Sequence, residues 1–124
     1  MAEVREEGEL GVGVDEAWKL VGDFGGFVQA LGVPVELTGE GIGATRTIRM
    51  GDPPTVERLE ELDDAAMRLV YSIVSGPLPV TDYLATMQLF DAGDGRSKLV
   101  WTSRFDPAGM ADRPEWRRTR RSPS

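Results

Sequence analysis

The sequence predicts an α+β fold: a curved antiparallel sheet with one dry face, partly covered by two short helices. Three observations carry this. Apolar and charged residues alternate with period two in several short runs, most clearly around ERLEELDDAAMRLVYSIVSGPLPVTDY (Glu57–Tyr83). The element order reads as one strand, two short helices and six strands. Every connection is short, so neighbouring strands should pair as an antiparallel meander.

Ala2–Leu10 reads as a first, edge strand. Glu3, Arg5, Glu7 and Glu9 lie on one face and the weakly apolar set Val4, Glu6, Gly8 and Leu10 on the other. Asp15 is expected to N-cap a short helix through Val21 that Gly22 ends. Gly25-Gly26 should break the chain again before one or two turns over Phe27–Leu31, and Pro34 cannot continue them. Strands follow at Val35–Thr38, Ala44–Met50, Thr55–Leu62, Met67–Val74, Val80–Phe90 and Lys98–Phe105. Asp63-Asp64 and Gly93-Asp94-Gly95 supply hairpin turns, and Ser75-Gly76-Pro77-Leu78-Pro79 a stiff loop with one leucine.

The chain of 124 residues suits one domain, with 40% hydrophobic and 28% charged residues. No apolar run reaches the ~20 residues of a membrane helix, and the polar, acidic start does not read as a signal peptide. With no cysteine, disulfide and thiolate chemistry are excluded and the cytoplasm is the expected location. The absence of histidine removes the commonest general base and transition-metal ligand. The acidic pairs lack the ligand spacing of a calcium loop, so turns are expected there, with no metal and no cofactor.

The net charge of -7 is uneven. Residues 1–110 carry 19 acidic against 9 basic side chains, whereas 111–124 carry 5 arginines against 2 acids. The body should repel nucleic acid and anionic membrane. The expected division is a domain over 1–110 and a basic, disordered tail over 111–124.

Period two also assigns faces. Met67, Leu69, Tyr71, Ile73 and Ser75 share one face, as do Tyr83, Ala85, Met87 and Leu89. Leu99, Trp101, Ser103 and Phe105 share another, and Ile48 and Met50 a fourth. Each apolar member fits a plain core equally well. Polar groups among them (Tyr71, Tyr83, Trp101, Ser103) favour a cavity, because a dry core would have to satisfy each one.

Five segments in order, VDEAWKLVGDF (Val14–Phe24), GATRTIRM (Gly43–Met50), ERLEELDD (Glu57–Asp64), YSIVSGPLPVTDY (Tyr71–Tyr83) and VWTSRFDPAG (Val100–Gly109), resemble the SRPBCC (Bet v 1/START-like) superfamily. Within it they are most similar to polyketide cyclase/dehydrase-type proteins, and more distantly to the plant abscisic acid receptors. The resemblance implies a helix-grip fold, a sheet gripping a long C-terminal helix around a cavity. It also turns Phe27, Glu57 and Leu59 inward with the faces named above.

The ligand-binding set expected is therefore Phe27, Ile48, Met50, Glu57, Leu59, Tyr71, Ile73, Leu78, Tyr83, Ala85, Met87, Trp101, Ser103 and Phe105. An inward Glu57 serves either as a proton carrier or as part of a polar network around the ligand; an outward one is a surface residue. Tyr83 either donates to a ligand carbonyl or enolate, or bonds a neighbouring side chain. Trp18 reads as core.

The plant receptors' proline-containing gate has only Gly51-Asp52-Pro53-Pro54 in its place, and their latch Leu78-Pro79-Val80. No lysine or arginine lies between Asp23 and Glu36 to hold a ligand acid group. A neutral or weakly polar hydrophobic ligand is expected, with no phosphatase partner.

Asp112 could cap a turn through Pro114 and Glu115, but after Glu115 only Trp116 is apolar among several arginines, which does not make a cavity-facing helix. The expectation is that the final helix is missing or replaced. The chain is then a truncated or frame-shifted reading, a subunit whose uncovered sheet associates with another copy, or a domain with a basic arm for an acidic partner.

Function follows with alternatives open. The first reading is binding of a small hydrophobic, aromatic or polyketide-like molecule against Tyr71, Ile73, Tyr83, Met87 and Trp101. Glu57, Tyr83 and Ser103 would orient it, and the Gly76–Val80 loop would restrict access. The second is a cyclase/dehydratase-type enzyme with Glu57 and Tyr83 as catalytic candidates. The third is an association module without activity of its own.

Overall fold

The computed structural model describes residues 2–106. Seven strands form one antiparallel sheet: β1 (Ala2–Leu10), β2 (Val35–Thr38), β3 (Thr45–Ile48), β4 (Thr55–Asp63), β5 (Arg68–Ser75), β6 (Thr81–Gly93) and β7 (Arg96–Asp106). Helices α1 (Val14–Val21) and α2 (Phe24–Ala30) lie between β1 and β2. The strand order is β1-β7-β6-β5-β4-β3-β2, so β2 to β7 form the expected meander and β1 returns to pair with β7. The tail at 111–124 and the question of the final helix lie outside the described residues.

Cross-strand rows set the dry face. Leu59, Tyr71, Ala85, Ser103 and Val4 stand opposite one another in turn across β4, β5, β6, β7 and β1. A second row runs Leu62, Leu69, Met87, Trp101, Glu6. Register shifts between Val56 and Glu57, between Leu59 and Glu61, and between Thr81 and Leu84 bend this face. The shift at Glu60 returns Leu62 to the face of Leu59, which strict alternation would have reversed.

The core lies where α1 and α2 cross the concave face. Ala17, Val21 and Phe24 pack with Leu59, Leu69, Tyr71, Ala85, Met87 and Leu89. Two hydrogen bonds hold this end. The Trp18 indole N–H donates to Asp64 Oδ1 at 2.9 Å, and the fully buried Ser97 hydroxyl donates to the Val12 carbonyl at 2.9 Å. Trp18 thus fastens α1 to the β4–β5 turn as well as packing on the core.

The helices differ from expectation at their starts. Gly13 in extended conformation, not Asp15, occupies the N-cap of α1, and Asp15 sits in the first turn, where its charge favours the helix N-terminus. Gly25-Gly26 is inside α2 rather than a break. Asp23 caps that helix by accepting from the Gly26 N–H at 3.1 Å, and a Cβ on Gly26 would lie 2.2 Å from the same carboxylate. A Cβ on Gly25 would lie 3.0 Å from Leu37, so close packing on β2 uses the first glycine of the pair. At the acidic turns, Asp63 accepts from Ala66 N–H and Asp91 from Gly93 N–H, the roles of ordinary turn residues.

In a double-mutant cycle, Trp18→Phe and Asp64→Ala should each lower stability, with a coupling of about 1 kcal/mol, the net worth of one hydrogen bond. Denaturant unfolding measures it, and additive effects would show that this bond does not hold α1 to the turn.

Candidate functional site

Between α2 and the concave face lies an apolar cleft of about 470 Å³. That size falls within the range of small-molecule sites. Of the residues in the expected ligand-binding set, Phe27, Ile48, Met50, Glu57, Tyr71, Ile73, Leu78, Tyr83, Met87 and Trp101 line it. Met50, Leu78 and Trp101 are substantially exposed and form an apolar rim; Tyr71 and Met87 form the buried floor.

Four expected residues lie elsewhere. Leu59 and Ala85 are packed in the core and do not reach the cleft, because the helices cover that part of the concave face. Ser103 lines a smaller depression of about 190 Å³ with Val4 and Glu6; Tyr83 and Trp101 border both this depression and the cleft. Phe105 stacks on Tyr83 with ring centroids 5.7 Å apart, behind the lining.

The polar feature of the cleft is a buried ion pair. Arg46 on β3 stands opposite Glu57 on β4 in the register, and its Nε donates to Glu57 Oε1 at 2.7 Å. Arg46 Nη1 donates to the Phe24 carbonyl at 2.7 Å, joining the sheet to the start of α2. The guanidinium lies over two rings, 4.1 Å from the Phe24 centroid and 4.8 Å from that of Tyr71. These contacts replace the hydration the cation loses on burial.

Arg46 was absent from the expected set, although it shares parity with Ile48 and Met50. That parity was the available signal; an arginine in a strand is ordinarily assigned to the wet face. Thr55, Val28, Leu31 and Val33 also line the cleft without having been expected there.

Burial pushes the Glu57 carboxyl above its ordinary range, and the charge and hydrogen bond of Arg46 work against that rise. Tyr71 is pushed up strongly by burial, with the Glu57 charge adding to it. Tyr83 is also raised by burial, while hydrogen bonds from Ser103 and Tyr71 offset part of the effect. Phe24, Tyr71, Tyr83 and Phe105 form a continuous aromatic ladder from α2 to β7. The site thus offers an apolar wall, neutral phenols and one paired carboxylate.

Fold and site together define a curved seven-stranded antiparallel sheet with two short helices, of the Bet v 1-like type, holding an apolar cleft between α2 and the sheet. The chain belongs to the family described as polyketide cyclase/dehydrase and lipid transport, which matches residues 1–121. Among solved structures, one from Thermobifida fusca is 31% identical, with a TM-score of 0.80, covering 96% of this chain and 80% of that one. An uncharacterized protein from Bacillus thuringiensis is 29% identical, with a TM-score of 0.78, covering 90% and 82%. Norcoclaurine synthase from Thalictrum flavum, solved with dopamine and hydroxybenzaldehyde, shares the fold at 16% identity and a TM-score of 0.72, covering 84% and 68%. No curated protein matches the sequence. Family and fold support a ligand-binding or cyclase-type role. Among the described residues no helix is long and apolar enough to cross a membrane.

Arg46→Met should destabilise the protein by about 3–5 kcal/mol near pH 8, because it leaves a buried carboxylate without its cation. As pH rises through the gap between the unfolded and folded Glu57 pKa values, the unfolded chain releases its proton first, so stability falls. Losing Arg46 raises the folded value further and widens that window, so the penalty should shrink toward pH 5. Urea unfolding at the two pH values reads this out; an equal penalty at both would remove the ion pair as its cause.

Proposed function

We propose that the protein binds a small hydrophobic molecule in the cleft between α2 and the sheet, as a cytoplasmic carrier or binding protein. The observation that carries the reading is the cleft itself: about 470 Å³, walled by Phe27, Ile73, Met87 and Trp101, with its few polar groups gathered at Arg46, Glu57 and Tyr83. An apolar wall with a sparse polar set suits a ligand that is mainly greasy and is oriented at one end. The same fold holding dopamine and hydroxybenzaldehyde in norcoclaurine synthase supports an aromatic ligand. Leu78, in the loop before β6, lies at the rim, where it would restrict access.

A cyclase/dehydratase-type activity is the second reading, favoured by one observation. Glu57 is a carboxylate of raised pKa in the same cleft as the Tyr83 phenol, so a proton acceptor and a hydrogen-bond donor face one bound molecule. Its pairing with Arg46 keeps Glu57 a weaker base than an isolated buried carboxylate, which ranks binding first. Turnover of a bound compound that is lost in Glu57→Gln would reverse that ranking.

A neutral solvatochromic naphthalene dye such as prodan should bind the wild-type chain with a blue shift. Ile73→Trp, which fills the cleft, should weaken that binding at least tenfold. Thr102→Val, on the opposite face of β7, should leave it unchanged. Equal affinity of the wild type and Ile73→Trp would place the dye, and the proposed site, elsewhere.

A further inference from the structure

The Arg46–Glu57 pair does more than neutralise itself. A guanidinium has five N–H donors in a fixed plane, and Nε–H and one Nη2–H point to the same side. Nε is used by Glu57 Oε1 and Nη1 by the Phe24 carbonyl. Among the described residues no hydrogen bond reaches Arg46 Nη2 or Glu57 Oε2. Yet no buried side-chain nitrogen or oxygen lacks a partner there, so both atoms retain an opening, and both residues line the cleft. The side chains carrying them are otherwise 96% and 90% buried. The 2.7 Å bond from Nε to Oε1 holds the two groups together, so the remaining donor and the remaining acceptor belong to adjacent groups on the cleft wall.

From this arrangement we infer that the cleft selects a neutral head group carrying an oxygen acceptor next to an N–H or O–H donor. A primary amide, a protonated carboxylic acid or an enolised dicarbonyl fits that description. The ligand oxygen takes Arg46 Nη2–H and its donor reaches Glu57 Oε2, while the apolar remainder lies against Ile73, Met87 and Trp101. A carboxylate brings a second negative charge beside Glu57 and has no donor for Oε2, so it is disfavoured. A simple ketone satisfies Nη2 alone. A pure hydrocarbon leaves both groups desolvated and unpaired, which costs more than a missing attraction.

The inference rests on the cleft being the ligand site, and the test separates the two claims. Displacement of prodan by 2-methylnaphthalene, 2-acetonaphthone, 2-naphthoate and 2-naphthamide holds the apolar body constant while the head group changes. For the wild type, 2-naphthamide should bind at least tenfold more tightly than each of the other three, a difference of about 1.4 kcal/mol. In Glu57→Gln the guanidinium charge is uncompensated, and 2-naphthoate should become the tightest of the four.

If methylnaphthalene displaces the dye as well as the amide does in the wild type, the cleft binds apolar molecules and the head-group inference is overturned. If the order stays the same in folded Glu57→Gln, the pair is not the reader of the head group. The wild-type series decides the matter alone should that variant not fold. If neither the dye nor any of the four compounds binds, both this inference and the proposed binding function fall.

Discussion

A guanidinium buried between two aromatic rings fixes the geometry of the cleft. Arg46 joins three parts of the molecule: β4 through Glu57, α2 through the Phe24 carbonyl, and β5 through the Tyr71 ring. An arginine stripped of water is stable only when its donors and its charge are met. The bonds from Nε to Glu57 and from Nη1 to the Phe24 carbonyl hold the first turn of α2 at a set distance from the sheet. The Asp23 cap and the Gly25 contact with Leu37 fix the same turn from its other side. The cleft lies beyond that anchored turn, so its width follows from one buried cation and the groups that satisfy it.

Much of the frame was legible in the sequence because period-two alternation and turn chemistry are local signals. The β4–β5 hairpin could be read from Glu57–Tyr83 since its charges alternate before Asp63-Asp64 and its apolar residues cluster after it. Strand ends were displaced by one to three residues, as at β7, whose ladder continues to Arg96 beyond the expected Lys98. Gly25-Gly26 was misread because intrinsic propensity opposed a helix that a cap and a tertiary contact stabilise.

The site was legible where hydrophobicity marks it and illegible where charge does. Tyr71, Ile73, Tyr83, Met87 and Trp101 reach the cleft because strand parity alone turns them inward. Arg46 obeys the same parity, but its burial becomes reasonable only once its partners are known. Those partners come from β4, α2 and β5, and no local pattern brings them together. Leu59 and Ala85 show the opposite limit: parity gives the face correctly and says nothing of how far along the strand the helices cover it.

The two hydrogen bonds at the closed end, Trp18 to Asp64 and Ser97 to Val12, divide the molecule by its freedom to diverge. None of the four residues lines the cleft, so the two bonds do not depend on what fills it. Rim positions such as Met50 and Leu78 sit in connections at the other end and touch neither tether. Changes at the rim can therefore accumulate without loosening the frame, so the mouth of the cleft can be reshaped through a handful of connection residues while the other end stays constant.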